Sequence, residues 1–299
     1  MKKVENDWWE FMRLMTWKSK SDAADEKCIL GVLRECLKDS MVDWNFKDWQ
    51  GRTALNVASV RGHWQTVREL LKLDMVDVNV KLRNGNTSLH LATDLSHWKV
   101  VSELLKHDMV DVNAKNLSGN TSLTLASKGW DPSEEVYCPR EDLQLNNMNG
   151  VRELLKHHMI DVNLADEASA TPLILASHNG HCDVVRELLK HEDMDVNVRS
   201  HLGYTALMWA SLNGTSDVVS VLLEFGGVDV NLKSKAGSTA LDIARNCEMI
   251  DIVRLLEEHT DCNRSTSTRK RRSAHEDEAA VKRMAMKKTS SSYSRQRWI

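Results

Sequence analysis

The chain has 299 residues and a net charge of −3, enough for one large domain or two ordinary ones, and its 28% charged content is ordinary for a folded protein. It has no run of 18 apolar residues, so no transmembrane helix is expected, and Asp7 and Glu10 interrupt the segment after Met-Lys-Lys, making a poor signal peptide. Six scattered cysteines (Cys28, Cys36, Cys138, Cys182, Cys247, Cys262) lack zinc-like spacing, argue against a disulfide framework and point to a reducing, cytoplasmic or nuclear location.

The first predicted element is a dense apolar segment holding Trp8, Trp9, Phe11, Met12, Leu14, Met15 and Trp17. A predicted helix over Cys28–Lys38 follows, with Leu33, Cys36 and Leu37 on one face. Residues 1–47 are expected to form a degenerate capping unit for the array that follows. The alternative is an amphipathic helix for a membrane or a partner. Lys2, Lys3, Arg13 and Lys18 give it some basic character, but less than a lipid-facing helix usually shows.

From residue 48 the chain repeats itself. Thr53-Ala54-Leu55, Thr87-Ser88-Leu89 and Thr121-Ser122-Leu123 start 34 residues apart, as do Thr171-Pro172-Leu173, Thr205-Ala206-Leu207 and Thr239-Ala240-Leu241. The step from Thr121 to Thr171 is 50, which marks one insertion of 16 residues. Asp77-Val78-Asn79 recurs in the same register at 111, 161, 195 and 229, and Asp43-Trp44-Asn45 extends the series backwards. In each unit a glycine two residues before the threonine (Gly51, Gly85, Gly119, Gly203, Gly237) suits a turn needing positive φ, with Ser169 the exception. The threonine is expected to cap a short helix ending near Gly62 in the first unit. A second helix then shows Val67, Leu70 and Leu71 at i, i+3 and i+4, copied as far as Val219, Leu222 and Leu223. Two helices this short have no core of their own and must stack on their neighbours.

Thr-Ala-Leu-x-x-Ala-Ser, Asn179-Gly180-His181, Val-Val-Arg-Glu-Leu-Leu-Lys and Asp-Val-Asn together resemble the ankyrin repeat over about residues 48 to 259. The resemblance implies an all-α solenoid of stacked helix-turn-helix units with β-hairpin-like fingers. Six repeats are expected at 48–81, 82–115, 116–165, 166–199, 200–233 and 234–259. This chain departs from the family pattern in three ways. Its period exceeds the usual one by a residue around Asp74-Met75-Val76. Thr-Pro-Leu-His is complete nowhere, with Pro172 and His90 each the only match, which predicts a depleted hydrogen-bond network between repeats. Glu257 stands where Leu71 stands in the first repeat, as suits a terminal cap facing water.

The insertion, at about 128–144, holds Pro132, Pro139, Trp130, Tyr137 and five acidic residues, and is expected as a loop between the two helices of the third repeat. Residues 260–299 have 11 Lys+Arg against 4 Asp+Glu, which leaves 29 against 39 for the rest. That contrast predicts a disordered basic tail on an acidic body, with no nucleic acid bound by the body. Arg269-Lys270-Arg271-Arg272 in the tail is a candidate nuclear-import signal for an import carrier; the bland reading is a solvated, solubilising tail.

No phosphate loop or nucleophile motif is present. His181-Cys182-Asp183 is placed by the register in an ordinary inter-helix turn. His107, His157 and His191 form a ladder whose members are too far apart to share a metal ion, and each is expected to serve as a cation or donor at a helix C-terminus. The Asp-Val-Asn side chains are expected to bond local backbone, and Trp64 and Trp98 to pack ring near ring. No enzyme activity, metal or cofactor is expected.

In the family, fingers and first helices line a concave binding face. Carried onto this chain, the candidate contacts are the non-repeating finger positions Trp49, Gln50, Arg52, Arg83, Asn84, Asn86, Leu117, Ser118, Asn120, His201, Leu202 and Tyr204, with Glu167, Ala168, Ala170, Lys235, Ala236 and Ser238 continuing the series. The expected function is a monomeric, non-enzymatic adaptor or scaffold that binds protein through an acidic concave surface, in nuclear or cytoplasmic signalling or transcription regulation. The alternative is a substrate-receptor subunit of a ubiquitin ligase or a fragment of a larger multidomain enzyme.

Overall fold

The computed structural model describes residues 12–13, 22–37, 42–129 and 143–261. Most of the N-terminal apolar segment, most of the insertion, and the tail with Arg269, Lys270, Arg271 and Arg272 lie outside the described residues. Within them the protein is all-helical. Inner helices are α2 (Ala54–Arg61), α4 (Ser88–Asp94), α6 (Ser122–Lys128), α8 (Pro172–His178), α10 (Ala206–Leu212) and α12 (Ala240–Asn246). Outer helices are α1 (Asp22–Cys36), α3 (Trp64–Leu70), α5 (Trp98–Leu104), α7 (Leu143–Leu155), α9 (Cys182–Leu188), α11 (Ser216–Phe225) and α13 (250–261). Each inner helix packs on the inner helices of adjacent repeats, and α1 to α11 pack outer on outer, which gives two layers with one continuous core between them. Met12 is buried against that core.

Local chemistry starts each inner helix. Thr53, Thr87, Thr121, Thr171, Thr205 and Thr239 are extended N-caps whose side chains accept the backbone N–H three residues on. Gly62 ends α2 in the left-handed region, at φ 73°. A Cβ there would lie 2.8 Å from the His97 ring, so the next repeat also requires the glycine. His97 Nε2 bonds the Val60 carbonyl at 3.0 Å, and His181 Nε2 that of Lys128 at 3.1 Å. The His181 ring is thereby tied to the preceding repeat.

In the outer helices the first two members of each triplet, such as Val101 and Leu104, are fully buried, while Leu71, Leu105, Leu155 and Leu223 are only partly so. Burial of this kind stabilises by roughly 1.5–3 kcal/mol per leucine. α7 begins at Leu143, ahead of the position that matches Trp64 and Trp98 in register, so the end of the insertion continues as helix rather than loop. Glu257 is half-exposed and paired with Arg245 at 2.6 Å.

Three expectations are corrected. Asp of each Asp-Val-Asn does bond locally, but Asn reaches the next repeat: Asn79 Nδ2 donates to Met109 O at 2.7 Å, and its Oδ1 accepts Asp111 N–H at 2.9 Å. Asn45, Asn113, Asn163 and Asn197 repeat this clamp, so the motif stitches the stack. At Nδ1, His107, His157 and His191 accept rather than donate: each receives the backbone N–H two residues on, at 3.3 Å. Protonation of Nδ1 would remove that bond, and for His157 burial first, then neighbouring His158, hold the imidazole below its ordinary pKa. Trp64 and Trp98 are not among the ring pairs of the described residues; Trp64 packs on the core and Trp98 carries Lys99 Nζ 5.6 Å from its centroid.

The network between repeats is made in part, by Asn56 and His90, while Ser122 Oγ at the register position of Ser88 is buried without a partner. Asn56, His90, Thr124 and Asp242 each close a reciprocal capping box with the threonine three before. Asn56 also donates to Ser88 Oγ in the next repeat. His90 Nδ1 accepts from Thr87 N–H, so Nε2 carries the proton and donates to Asn120 O at 3.0 Å. Burial lowers the His90 pKa, so the native state holds it neutral. Its contribution is complete above the unfolded pKa of about 6.5 and diminishes as pH falls from there toward the folded value. The loss of stability between about pH 7.5 and about pH 5.5 should therefore be smaller in His90→Asn than in wild type, as read by urea unfolding. An equal loss in both proteins would show that His90 is not the group responsible.

Candidate functional site

A row of six fingers projects from the N-terminal ends of the inner helices. Each closes on itself through a backbone bond, such as Asp48 N–H to Arg52 O at 2.9 Å and Ser200 N–H to Tyr204 O at 2.9 Å. Fingers also bond to one another: Leu117 N–H donates to Asn84 O, Glu167 N–H to Ser118 O, His201 N–H to Ala168 O and Lys235 N–H to Leu202 O, over 2.9–3.3 Å. Gly85 and Gly203 sit at φ 80° and 78°, with the backbone of the next finger against them, whereas Ser169 takes the same left-handed conformation at φ 57°.

The sequence candidates divide into two groups. Trp49, Leu117 and Leu202 are 78%, 69% and 54% exposed, and Gln50, Arg83, Asn84, Ser118 and His201 are exposed beside them. The others are engaged by the fold. Arg52 is half-buried and bonded to Asp48 Oδ2 through Nε and Nη2, and Asn86 Oδ1 accepts from Asn116. The Asn120 carbonyl holds His90, the Tyr204 ring packs 5.1 Å from that of Trp209, and Ala170 is buried.

Leu91, Leu125, Leu175 and Trp209 were not among the sequence candidates. All four occupy one position, four residues after the cap threonine, and all are half-buried on the solvent arc of an inner helix. The edge-to-face pairs of Trp209 with Tyr204 and with His178 join finger and helix surface into one face. Register was the available signal, since the position is apolar in every repeat yet lies outside the Thr-x-Leu core pattern.

The charge of this face is opposite to the expectation. The acidic excess lies elsewhere: Asp43, Asp77, Asp111, Asp161, Asp195 and Asp229 are exposed where the outer-helix loops lead toward the fingers. The fingers carry Lys47, Arg52, Lys81, Arg83, Lys115, Arg199, Lys233 and Lys235 against Asp48, Asp166 and Glu167. Two of those three acids serve the finger turns, Asp48 accepting Gln50 and Arg52 N–H and Asp166 accepting Ala170 N–H. Averaging charge over the whole body concealed this segregation. Lys81, Lys115 and Arg199 donate to carbonyls of the next finger, which holds the cations in line.

On the outer-helix side, a groove of about 800 Å³ is lined by Leu105, Lys106, Asp108, His157 and Met159, and Glu153 and Lys156 in its wall bond each other at 2.6 Å. Among the described residues no group of three His, Cys, Asp or Glu could hold a metal ion, and no helix is long and apolar enough to cross a membrane.

The family model for ankyrin repeats matches residues 23–116, 143–200 and 192–266. Among solved structures, the ankyrin repeat protein EF0377 is 25% identical, with 68% of this chain and 96% of that one covered and a TM-score of 0.59. An ankyrin repeat domain from Acinetobacter baumannii AYE is 25% identical, with 69% and 97% covered and a TM-score of 0.58. The ankyrin repeat domain of Bcl-3, a member of the IkappaB protein family, is 23% identical, with 82% and 96% covered and a TM-score of 0.61. No curated protein sequence matches the chain.

Proposed function

The chain belongs to the ankyrin-repeat family, whose repeats are generally protein-interaction modules, and from that premise we propose that it is a non-enzymatic adaptor or scaffold that binds a protein partner through its finger and inner-helix face. One observation carries this reading: Trp49, Leu117 and Leu202 stand exposed on one row of fingers, of which the second to the sixth are bonded each to the next. Large apolar side chains on one face can supply the core of an interface, Trp above all. The adaptor acts in the cytoplasm or nucleus, in signalling or transcription regulation, with Arg269-Lys270-Arg271-Arg272 supporting import.

The test is affinity capture with wild type and with Trp49→Ala/Leu117→Ala/Leu202→Ala. Each site is exposed, so each change should alter stability by no more than about 0.5 kcal/mol. Partners captured by wild type should be lost from the variant; identical partner sets would refute this choice of face. Imaging the same tagged chains tests import, and unchanged nuclear signal after alanine replacement of Arg269–Arg272 would remove that part.

A further inference from the structure

We propose that the finger row recognises an acidic polypeptide segment whose large apolar side chains recur about every six residues when it runs extended along the row, an inference that rests on the binding face proposed above. Charge is the first support. The finger row is basic on a body that is otherwise acidic, and its exposed cations, Arg83 and Lys235 among them, face a single exposed finger acid, Glu167. A row of one sign sets the sign of its partner, because like charges brought together and desolvated cost several kcal/mol while opposite ones steer the encounter. The chain's own basic tail has the sign of the fingers and is not the occupant.

Spacing is the second support. The exposed apolar anchors fall on alternate fingers: Trp49 on the first, Leu117 on the third and Leu202 on the fifth. Packed helices lie roughly 8–10 Å apart, so anchors two repeats apart are separated by roughly 20 Å, which is about six residues of extended chain at about 3.3 Å each. At the position that Trp49 and Leu117 occupy, the second and sixth fingers present Arg83 and Lys235, so cations stand between the first two anchors and beyond the last, and Glu167 takes that position on the fourth finger. A polynucleotide fits less well. Trp49 is the one exposed Phe, Tyr or Trp among the fingers, where single-strand binding uses a series of stacking rings.

The test is selection of displayed random peptides of about 20 residues, long enough to pass the first five fingers when extended, on the immobilised full-length chain. Enriched peptides should be net acidic and carry spaced Leu, Phe or Trp. A synthetic copy of one such peptide should bind about tenfold or more weakly to Arg83→Glu/Lys235→Glu and to the Trp49/Leu117/Leu202 alanine variant, and more weakly as salt rises. Neutral or basic peptides that still lose binding to the alanine variant would overturn the acidic class and leave the face standing. Enriched peptides indifferent to both variants would overturn the face as well. No enrichment over an unrelated protein, or tighter Arg83- and Lys235-dependent binding of a thymidine oligonucleotide, also overturns the proposal.

Discussion

Gly85→Ala is expected to destabilise the stack by on the order of 2–5 kcal/mol, from two separable causes. The first is local. Gly85 sits at φ 80°, where an L side chain meets the following carbonyl at a cost of about 1–2 kcal/mol. The second lies in the next repeat, where an added Cβ would stand 2.6 Å from Leu117 N and 3.0 Å from Asn116 C. Those atoms are backbone, and Leu117 N–H is already committed to Asn84 O at 3.0 Å, so relief requires the third finger to move and that bond to lengthen. Gly237→Ala isolates the first cause, because φ is 83° there and nothing lies within 4 Å of the added atom. Thermal unfolding should rank Gly85→Ala well below Gly237→Ala. Equal losses would mean that finger contact contributes nothing. Ser169→Gly should move the other way, since Ser169 already bears the local strain.

Leu104→Ala is expected to cost about 2–5 kcal/mol, the range for emptying a packed leucine site. Leu104 is fully buried in α5, which packs against α3, α4 and α7. In a two-layer stack, a cavity there loosens contacts to both adjacent repeats, because no repeat has a private core that could absorb the loss. Met109→Ala, five residues on and 72% exposed, should change stability by no more than about 0.5 kcal/mol. Urea midpoints decide between these outcomes. A loss below about 1 kcal/mol for Leu104→Ala would mean that the site collapses freely and that inter-repeat packing does not hold the array together.

Part of the site could be read in advance, because exposure follows register. Trp49 and Leu117 sit at one finger position and Leu202 at the next, and all three are exposed as a non-repeating finger residue should be. Arg52 and Tyr204 were equally variable yet are engaged, one by Asp48 and the other by Trp209. Variation alone does not separate a side chain that meets a partner from one that meets its own repeat. The sign of the face was also present in the sequence, but only after sorting charges by position within the repeat.

By itself the sequence determined the array. A period of 34 residues, a cap threonine in each unit and a Val-x-x-Leu-Leu face in every unit but the last specify short helix pairs that must stack, because hydrophobic period and capping act over a few residues. Tertiary structure alone decided where polar side chains go between repeats. Asn79 reaches Met109, and His97 reaches back to Val60. Each such bond depends on the offset at which one repeat settles on the next, and polar groups take whichever partner that offset brings within reach.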